Sequence, residues 1–477
     1  MKNRIRLVLI VVIIALVVVA GVTSYIVFAP PASSSAKKSP PPPPASCSSS
    51  TSASSSTSAS GVNGNWTTYH GDNVRSGYEP MAAVTGVHSE WTGPTPLDGQ
   101  VYAEPLVCGN SVFVATEMNT VYSINASSGA VLWHTHLGSP VPGSSLPCGD
   151  INPSGITGTP VIDLANRILY VVAFLNPADH VLFGLNIDNG TVMSQVPADA
   201  PGSTPTAQQE RGALVLANGM VYIPYGGLFG DCANYHGYVV GVPVSGSGGL
   251  VSYQVPTHRE GGIWGAAGFA VAANGDLYLA TGNGDSSTTF DHGDSVVELS
   301  PSLQELGYFA PTNWAQLNQD DTDLGSQAPT ILPNGDVFQV GKEGVGYLLS
   351  GTNLGGIGGQ IYNRSICGGG YAGTAHVGES LLVACNDGVV RVNIGAANFS
   401  VAWKTAASFD SGAPIVTGNV VWAVDWDNAS LMGFNFSTGA LIFWLSLGSA
   451  EHFITPAAAP GSLFVGAGDQ LEAYALT

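Results

Sequence analysis

The chain has 477 residues, 45% of them hydrophobic and only 10% charged, with 62 Gly, 30 Pro and six Cys. Its formal charge of −20 excludes nucleic-acid binding, which needs Lys and Arg set against phosphate. So much glycine, with almost no helical periodicity beyond the N-terminus, excludes a helical bundle and suits short strands joined by tight turns.

Residues 1–6 carry Lys2, Arg4 and Arg6, and an uncharged run of 22 residues follows, Leu7 to Phe28. At about 1.5 Å per residue a helix of that length just spans a hydrocarbon core of about 30 Å. The basic flank favours an N-in orientation. A transmembrane signal-anchor over 7–28 is therefore expected, with a cleaved signal as the rival. The run is long for a signal peptide, and Pro30 after Ala29 hinders cleavage. Residues 29–63 are nearly all Pro, Ser, Ala and Thr, with five prolines from Pro40, and read as a disordered, semi-rigid stalk. Together they predict single-pass attachment to the cell membrane, with residues 64–477 on the extracytoplasmic side. All 33 acidic residues but only eight of the 13 Lys and Arg lie in that outer part, a formal charge of −25. Seven Asn-x-Ser/Thr sites, Asn65 and Asn398 among them, permit glycosylation without arguing for it.

From Val101 onward one unit recurs about eight times. It is clearest in "AEPLVCGNSVFVATEMNTVYSINASSGAVLW" (Ala103 to Trp133) and "SGAPIVTGNVVWAVDWDNASLMGFNFSTGALIFW" (Ser411 to Trp444). Each copy holds apolar runs separated by Gly or Asn turns and closes on a Trp, the pattern of a four-stranded propeller blade. Innermost strands are expected near Pro105, Pro160, Ala213, Ala266, Pro329, Ala375, Pro414 and Pro456. The last unit stops after three strands, and "HSEWTGPTPL" around Trp91 supplies the fourth. The fold class is all-β: an eight-bladed β-propeller of antiparallel four-stranded blades, its ring closed by N- and C-terminal strands. The repeated Trp residues (Trp91, Trp133, Trp403, Trp444) are expected between blades.

Antiparallel order sorts the loops onto two faces. Tight turns such as "LANG" and "PNGD" share one. The longer loops "YGGLFGDCANYHG", "TGNGDSSTTFDHGD", "GKEGVG" and "DWDNAS" share the other with the links between blades, and charged loops on a rigid scaffold mark the functional face. Six cysteines suit an oxidising compartment. Cys367 and Cys385, at the ends of one blade segment, are the expected disulfide. Cys108, Cys148 and Cys232 leave an odd one, free or paired with Cys47.

The blade endings "SINASSGAVLW" and "GFNFSTGALIFW" resemble the pyrroloquinoline quinone (PQQ) propeller repeat, and the likeness runs from Trp66 to the C-terminus. That repeat occurs in PQQ-dependent alcohol dehydrogenases and in cofactor-free propellers such as the outer-membrane assembly lipoprotein, so it does not by itself imply an enzyme. Loop order carries the resemblance further. "GGIWGAAGFAVAANGDLYLATGNGD" looks like the region supplying a Trp beneath the quinone and an Asn to calcium, which implies Trp264 and Asn283. Asp231, before a "GYV" strand, stands where the family has an acidic calcium ligand. "NQDDTDLGS" resembles the link holding the catalytic Asp, implying Asp323 with Asp320 and Asp321 beside it. "GKEGVG" implies Lys342 as the basic contact to the quinone, and "AEPLV" implies Glu104 at the cofactor's polar edge.

In such an enzyme Asp231 and Asn283 would supply some of calcium's 6–8 oxygen ligands. Asp323 would take the substrate hydroxyl proton, Lys342 would stabilise the reduced oxyanion, and Trp264 would stack on the ring. Two departures stand against this. The family's adjacent cysteine pair is reduced to Cys148 followed by Gly149, and Pro153 and Ser154 occupy the place of an expected Arg. The resemblance thus implies either a quinoprotein oxidising an alcohol, sugar or polyol and passing electrons to an external acceptor, or a non-catalytic propeller holding a protein, glycan or cation.

Overall fold

The computed structural model describes Cys47 and residues 64–93, 96–246 and 248–477. The expected membrane helix at 7–28, and the stalk apart from Cys47, lie outside the described residues. Among the described residues no helix is long and apolar enough to cross a membrane.

Eight sheets follow one another around a ring. Blade 1 takes Leu106–Cys108 through Val131–His136, blade 2 Val161–Asp163 through Val192–Pro197, and blade 3 Val215–Ala217 through Val251–Gln254. Blade 4 takes Ala270–Val271 through Glu305–Ala310, blade 5 Thr330–Ile331 through Tyr362–Ser365, and blade 6 Gly370–Val377 through Phe399–Lys404. Blade 7 takes Ile415–Thr417 through Leu441–Ser446. In blade 8, Ala457–Ala459, Ser462–Ala467 and Gln470–Leu476 are completed by Val87–Thr92, which pairs antiparallel with the C-terminal strand. This is the closure expected around Trp91. The only α-helix among the described residues, Trp314–Asp320, lies in the link from blade 4 to blade 5.

The middle strands of the blades are buried on both sides. Their apolar residues form clusters between adjacent blades, as where Val221, Ile223 and Val240 of blade 3 meet Tyr170, Val172 and Leu182 of blade 2. Burying each such side chain contributes about 1.5–3 kcal/mol, and these inter-blade layers are where the ring's stability resides.

The repeated ending has a chemical reason. Asn125, Asn186 and Asn435 each accept, through the side-chain oxygen, the N–H two residues on. Each also takes on its carbonyl the N–H of a left-handed glycine, Gly129, Gly190 or Gly439. The Trp of the preceding blade lies on that glycine and donates its indole N–H to the carbonyl after the Asn. Trp91 reaches Ala126 at 2.9 Å, Trp133 reaches Ile187 at 3.0 Å and Trp403 reaches Phe436 at 2.9 Å. A β-carbon on Gly190 would fall 2.5 Å from Trp133 Cε3. Trp444 departs from the expectation and is 58% exposed. Blade 8 is closed by two chain ends, so the turn on which Trp444 would dock does not exist.

Residues 64–79 lace the face opposite the long loops. Asn65 and Trp66 pair with blade 1, and Thr67 accepts from Ile162 of blade 2 at 2.8 Å. Asn73 donates to Leu216 of blade 3 at 3.0 Å and accepts from Val271 of blade 4 at 2.8 Å. Ser76 accepts from His376 of blade 6 at 2.8 Å, and Tyr78–Glu79 runs parallel to Val416–Thr417 of blade 7. Arg75, 1% exposed, holds the segment from within by donating to the carbonyls of Phe269 and Tyr69 and to Thr68 Oγ1. Tyr69 fills the ring's axis inside a collar of Ala213, Ala267, Ala328, Ala372 and Ala413, one from each of blades 3 to 7. Side chains larger than alanine there would leave no room for the tyrosine ring.

Candidate functional site: an acidic, aromatic cavity on the loop face

Above Tyr69 the axis opens on the loop face into a cavity of about 620 Å³. Trp264, Asp231, Asp323 and Lys342 all line it, brought together from blades 3, 4 and 5. The helix Trp314–Asp320 ends on Asp321, whose left-handed backbone (φ 50°) turns the chain inward so that Asp323 is buried. Two close approaches seat this turn. A β-carbon on Gly325 would fall 2.4 Å from the Thr281 carbonyl carbon, and one on Gly341 would fall 2.4 Å from the Asp323 oxygen.

Lys342 Nζ lies 2.6 Å from Asp323 Oδ2 and 2.9 Å from Asp321 Oδ1, and 5.5 Å from the Trp264 ring centroid. Asp323 Oδ1 accepts the Asn283 N–H at 2.6 Å. Burial pushes the Asp323 carboxyl up while Lys342 and the Asn283 N–H restrain the shift. Burial alone would lower the Lys342 ammonium, but Asp323 and Asp321 outweigh it and the pKa is raised. Behind them Asp294 is fully buried, accepts the Leu324 N–H at 2.7 Å, and is raised by burial and by the charge on Asp323. Negative charge on Asp323 thus favours the protonated form of Asp294.

The rest of the wall comes from residues that the sequence did not single out. Phe453, on the link from blade 7 to blade 8, stacks on Tyr371 at 6.1 Å and 9°. It also meets Trp264 at 6.1 Å, Trp426 at 5.2 Å and the Arg211 guanidinium at 5.6 Å. Arg211 donates to His452 Nε2 at 3.1 Å and lies 3.6 Å from Asp150. Burial, with Arg211 adding to it, lowers His452 to about 4, so it stays neutral. Asp410 is raised to about 6, first by burial and then by its hydrogen bond with Asp427. Apart from Tyr371, near the start of the strand Gly370–Val377, these residues sit on links or loops of the face that the sequence marks as functional. Their convergence appears only when the ring closes.

Asn283 is not on the wall; it stands behind Asp323, its amide donating to Glu260 Oε2 at 3.3 Å. Glu104 is elsewhere. Its carboxylate accepts the Trp66 indole N–H at 2.9 Å and the His70 N–H at 2.8 Å, so it pins the lacing segment rather than facing the cavity. Of the competitors to Asp323, Asp321 reaches Lys342 from the rim, whereas Asp320 bonds Gln316 on the helix. Cys367 and Cys385 are joined as expected, with Cα atoms 6.3 Å apart. The other disulfides are Cys47–Cys108 and Cys148–Cys232, so the single Cys148 has a partner beside Asp231.

The arrangement does not fit a calcium–quinone pair as it stands. Asp231 is engaged by the Tyr235 hydroxyl, and Asn283 by Glu260. Among the described residues no three carboxylate or histidine ligand atoms converge at the cavity. Trp264 already carries Lys342 over its ring and Phe453 against it, where a planar cofactor would stack.

An eight-bladed ring, Trp-docked between blades and carrying its polar cluster at the loop-face axis, defines a quinoprotein-like β-propeller. Residues 81–230 match the family described as outer membrane protein assembly factor BamB, and that match together with the fold supports a PQQ-repeat propeller. Among solved structures it is similar to the quinohemoprotein alcohol dehydrogenase of Comamonas testosteroni, at 16% identity and TM-score 0.63, covering 86% of this chain and 80% of that one. A second quinohemoprotein alcohol dehydrogenase, from Pseudomonas putida HK5, gives 14% and 0.66 over 87% and 80%. BamB of Moraxella catarrhalis gives 13% and 0.56 over 82% and 98%. At these identities the likeness fixes the fold alone. No curated protein sequence matches the chain.

Proposed function

We propose that this chain is an extracytoplasmic binding propeller, tethered through residues 7–28, whose loop-face cavity holds a hydroxyl-rich small ligand such as a sugar, a polyol or a glycan end. One observation carries the reading: Trp264, Tyr371, Trp426 and Phe453 line the same cavity as Asp231, Asp410 and Asn386. Aromatic faces take the C–H surface of a sugar ring, while carboxylates and an amide take its hydroxyls. Several of the carboxylates already have partners: Asp321 and Asp323 share Lys342, Asp150 faces Arg211, and Asp410 shares a hydrogen bond with Asp427. Calorimetric titration with glucose, mannitol and cellobiose tests it, binding being expected for at least one and lost in Trp426→Ala. Heats indistinguishable from dilution across that panel would sink the reading. The membrane tether is tested separately, by detergent dependence of extraction and by protease access to the propeller on intact cells.

A second reading, oxidation of an alcohol, sugar or polyol with PQQ and calcium, rests on the placing of Trp264, Asp231, Asp323 and Lys342 on one cavity wall. It requires Lys342 and Phe453 to leave the Trp264 ring. Supporting it would take a visible cofactor spectrum that survives gel filtration with calcium, together with dye-linked activity lost in Asp323→Asn.

A further inference from the structure

The seven Asn-x-Ser/Thr sites of the chain are treated unequally by the fold. A transferase that modifies such a site must reach the Asn amide and the hydroxyl two residues on, so all three residues have to stand clear of the protein body. Six of the seven fail on that ground. Asn65 pairs with blade 1 and precedes Trp66, which is completely buried. Asn398 precedes Phe399, which is buried between blades 5 and 6. Asn428 spends the amide nitrogen that would be modified on Asp425, at 2.9 Å, and its Ser430 is buried. Asn125 and Asn435 are half-buried in the docking turns, and the residue after each gives its carbonyl to an indole. Asn189 is followed by Gly190, on which Trp133 lies.

Asn363-Arg364-Ser365 differs from the rest. All three of its residues are exposed, which holds for no other of these sites among the described residues. They belong to Tyr362–Ser365, the outermost strand of blade 5, which pairs with Val345–Leu349 on one side and with no strand on the other. In an extended strand Asn363 and Ser365 share one face, with Arg364 on the opposite one. No hydrogen bond or ion pair among the described residues engages any of the three side chains. The strand lies on the rim of the ring rather than at its axis, so a group attached there leaves the loop-face cavity open.

We propose that Asn363 is a site of N-linked glycosylation, a proposal that rests on the extracytoplasmic placement put forward above. The donor is a saccharide carried on a lipid diphosphate. Asn363 Nδ2 forms the new bond to the anomeric carbon of the sugar, and the bond from that carbon to the diphosphate breaks. The lipid diphosphate leaves with the bonding pair, and the proton lost from the amide passes to a base of the membrane transferase.

Mass spectrometry of peptides spanning residues 358–366, from the full chain purified from its own cells, tests this. Peptides carrying Asn363 should be heavier by whole sugar residues, while those carrying Asn125, Asn428 and Asn435 should have their bare mass. Ser365→Ala leaves the asparagine in place and should abolish the addition without changing the circular dichroism spectrum. A bare Asn363 on a propeller that external protease cuts on intact cells would overturn the proposal and leave the placement standing. A bare Asn363 on a propeller shielded from that protease would remove both. Sugar retained on Asn363 in S365A, or found on Asn428 instead, would equally overturn the assignment.

Discussion

Lys342 stands 2.6 Å from Asp323, and the two meet at the edge of an open cavity while Asp294 waits behind them without a cation of its own. The lysine, with the Asn283 N–H, opposes the burial that raises the Asp323 carboxyl. Lys342→Met removes that cation and leaves the carboxylate unpaired, which should cost about 2–4 kcal/mol at neutral pH. The loss should shrink on acidification. Without Lys342 the folded pKa of Asp323 rises further above the usual aspartate range, so the folded state holds a proton that the unfolded state has released. Stability is then present at low pH and lost as pH rises through the folded value. Urea unfolding at pH 5 and pH 7 measures this, and equal destabilisation at both would contradict it.

The docking of each Trp on the next blade's glycine predicts a contrast between two left-handed glycines. Gly202 (φ 80°) has nothing within 4 Å of a built β-carbon, so Gly202→Ala should lose only about 1 kcal/mol of backbone strain. At Gly190 (φ 71°) the same methyl meets Trp133 at 2.5 Å, and Gly190→Ala should lose about 2–4 kcal/mol. Trp444→Ser, on a ring that docks nowhere, should stay within about 0.5 kcal/mol. Thermal unfolding of the three variants ranks them.

The Cys148–Cys232 bridge ties the link between blades 1 and 2 to the loop that carries Asp231. The double variant Cys148→Ser/Cys232→Ser should lose about 2–4 kcal/mol. Faster amide hydrogen exchange should be confined to residues 226–236 and the facing 146–152 segment. Exchange rising equally in blades 6 and 7 would mean that the bridge supports the whole ring rather than this loop.

These contrasts show which parts of the molecule the sequence made readable. The Asn–Gly–Trp docking repeats in consecutive residues, so it shows in the chain, and so does the missing fourth strand of blade 8. The lacing segment does not, because Arg75 and Asn73 bond to backbone carbonyls that any residue would present. Asp323, Lys342, Trp264 and Asp231 were found through the order of their loops. Phe453 comes from a link, Trp426 from a loop within blade 7 and Tyr371 from the start of a blade 6 strand, with no shared motif, and only closure of the ring sets their faces together. Glu104 shows the opposite failure: a residue placed by motif whose carboxylate the fold uses for anchoring.

The scarcity of cations has a consequence for stability as a whole. With eight Lys and Arg against 33 Asp and Glu in the outer part, several buried carboxyls, Glu79 and Glu117 among them, are shifted by burial and restrained by backbone N–H groups without an ion pair. Burial raises Glu79 to about 8 and, against the pull of the Gly155 N–H, Glu117 to about 7. Burial and then Asp427 raise Asp410 to about 6. Each folded value lies above the ordinary value of a free carboxyl, 4.5 for Glu and 3.8 for Asp. Between those limits the folded state therefore binds more protons than the unfolded chain. The sign is fixed: stability is fullest below the unfolded values and is lost as pH rises through 6, 7 and 8 in turn. Each group contributes roughly 1.4 kcal/mol per pH unit within its own window. The thermal midpoint should thus be higher at pH 5 than at pH 8, the reverse of the usual carboxylate behaviour. Glu79→Gln keeps the shape and removes one titration, so it should flatten the upper part of that profile while leaving the pH 5 midpoint nearly unchanged. A midpoint that climbs from pH 5 to pH 8, or a Glu79→Gln profile parallel to the parent's, would refute the assignment of neutral buried carboxyls.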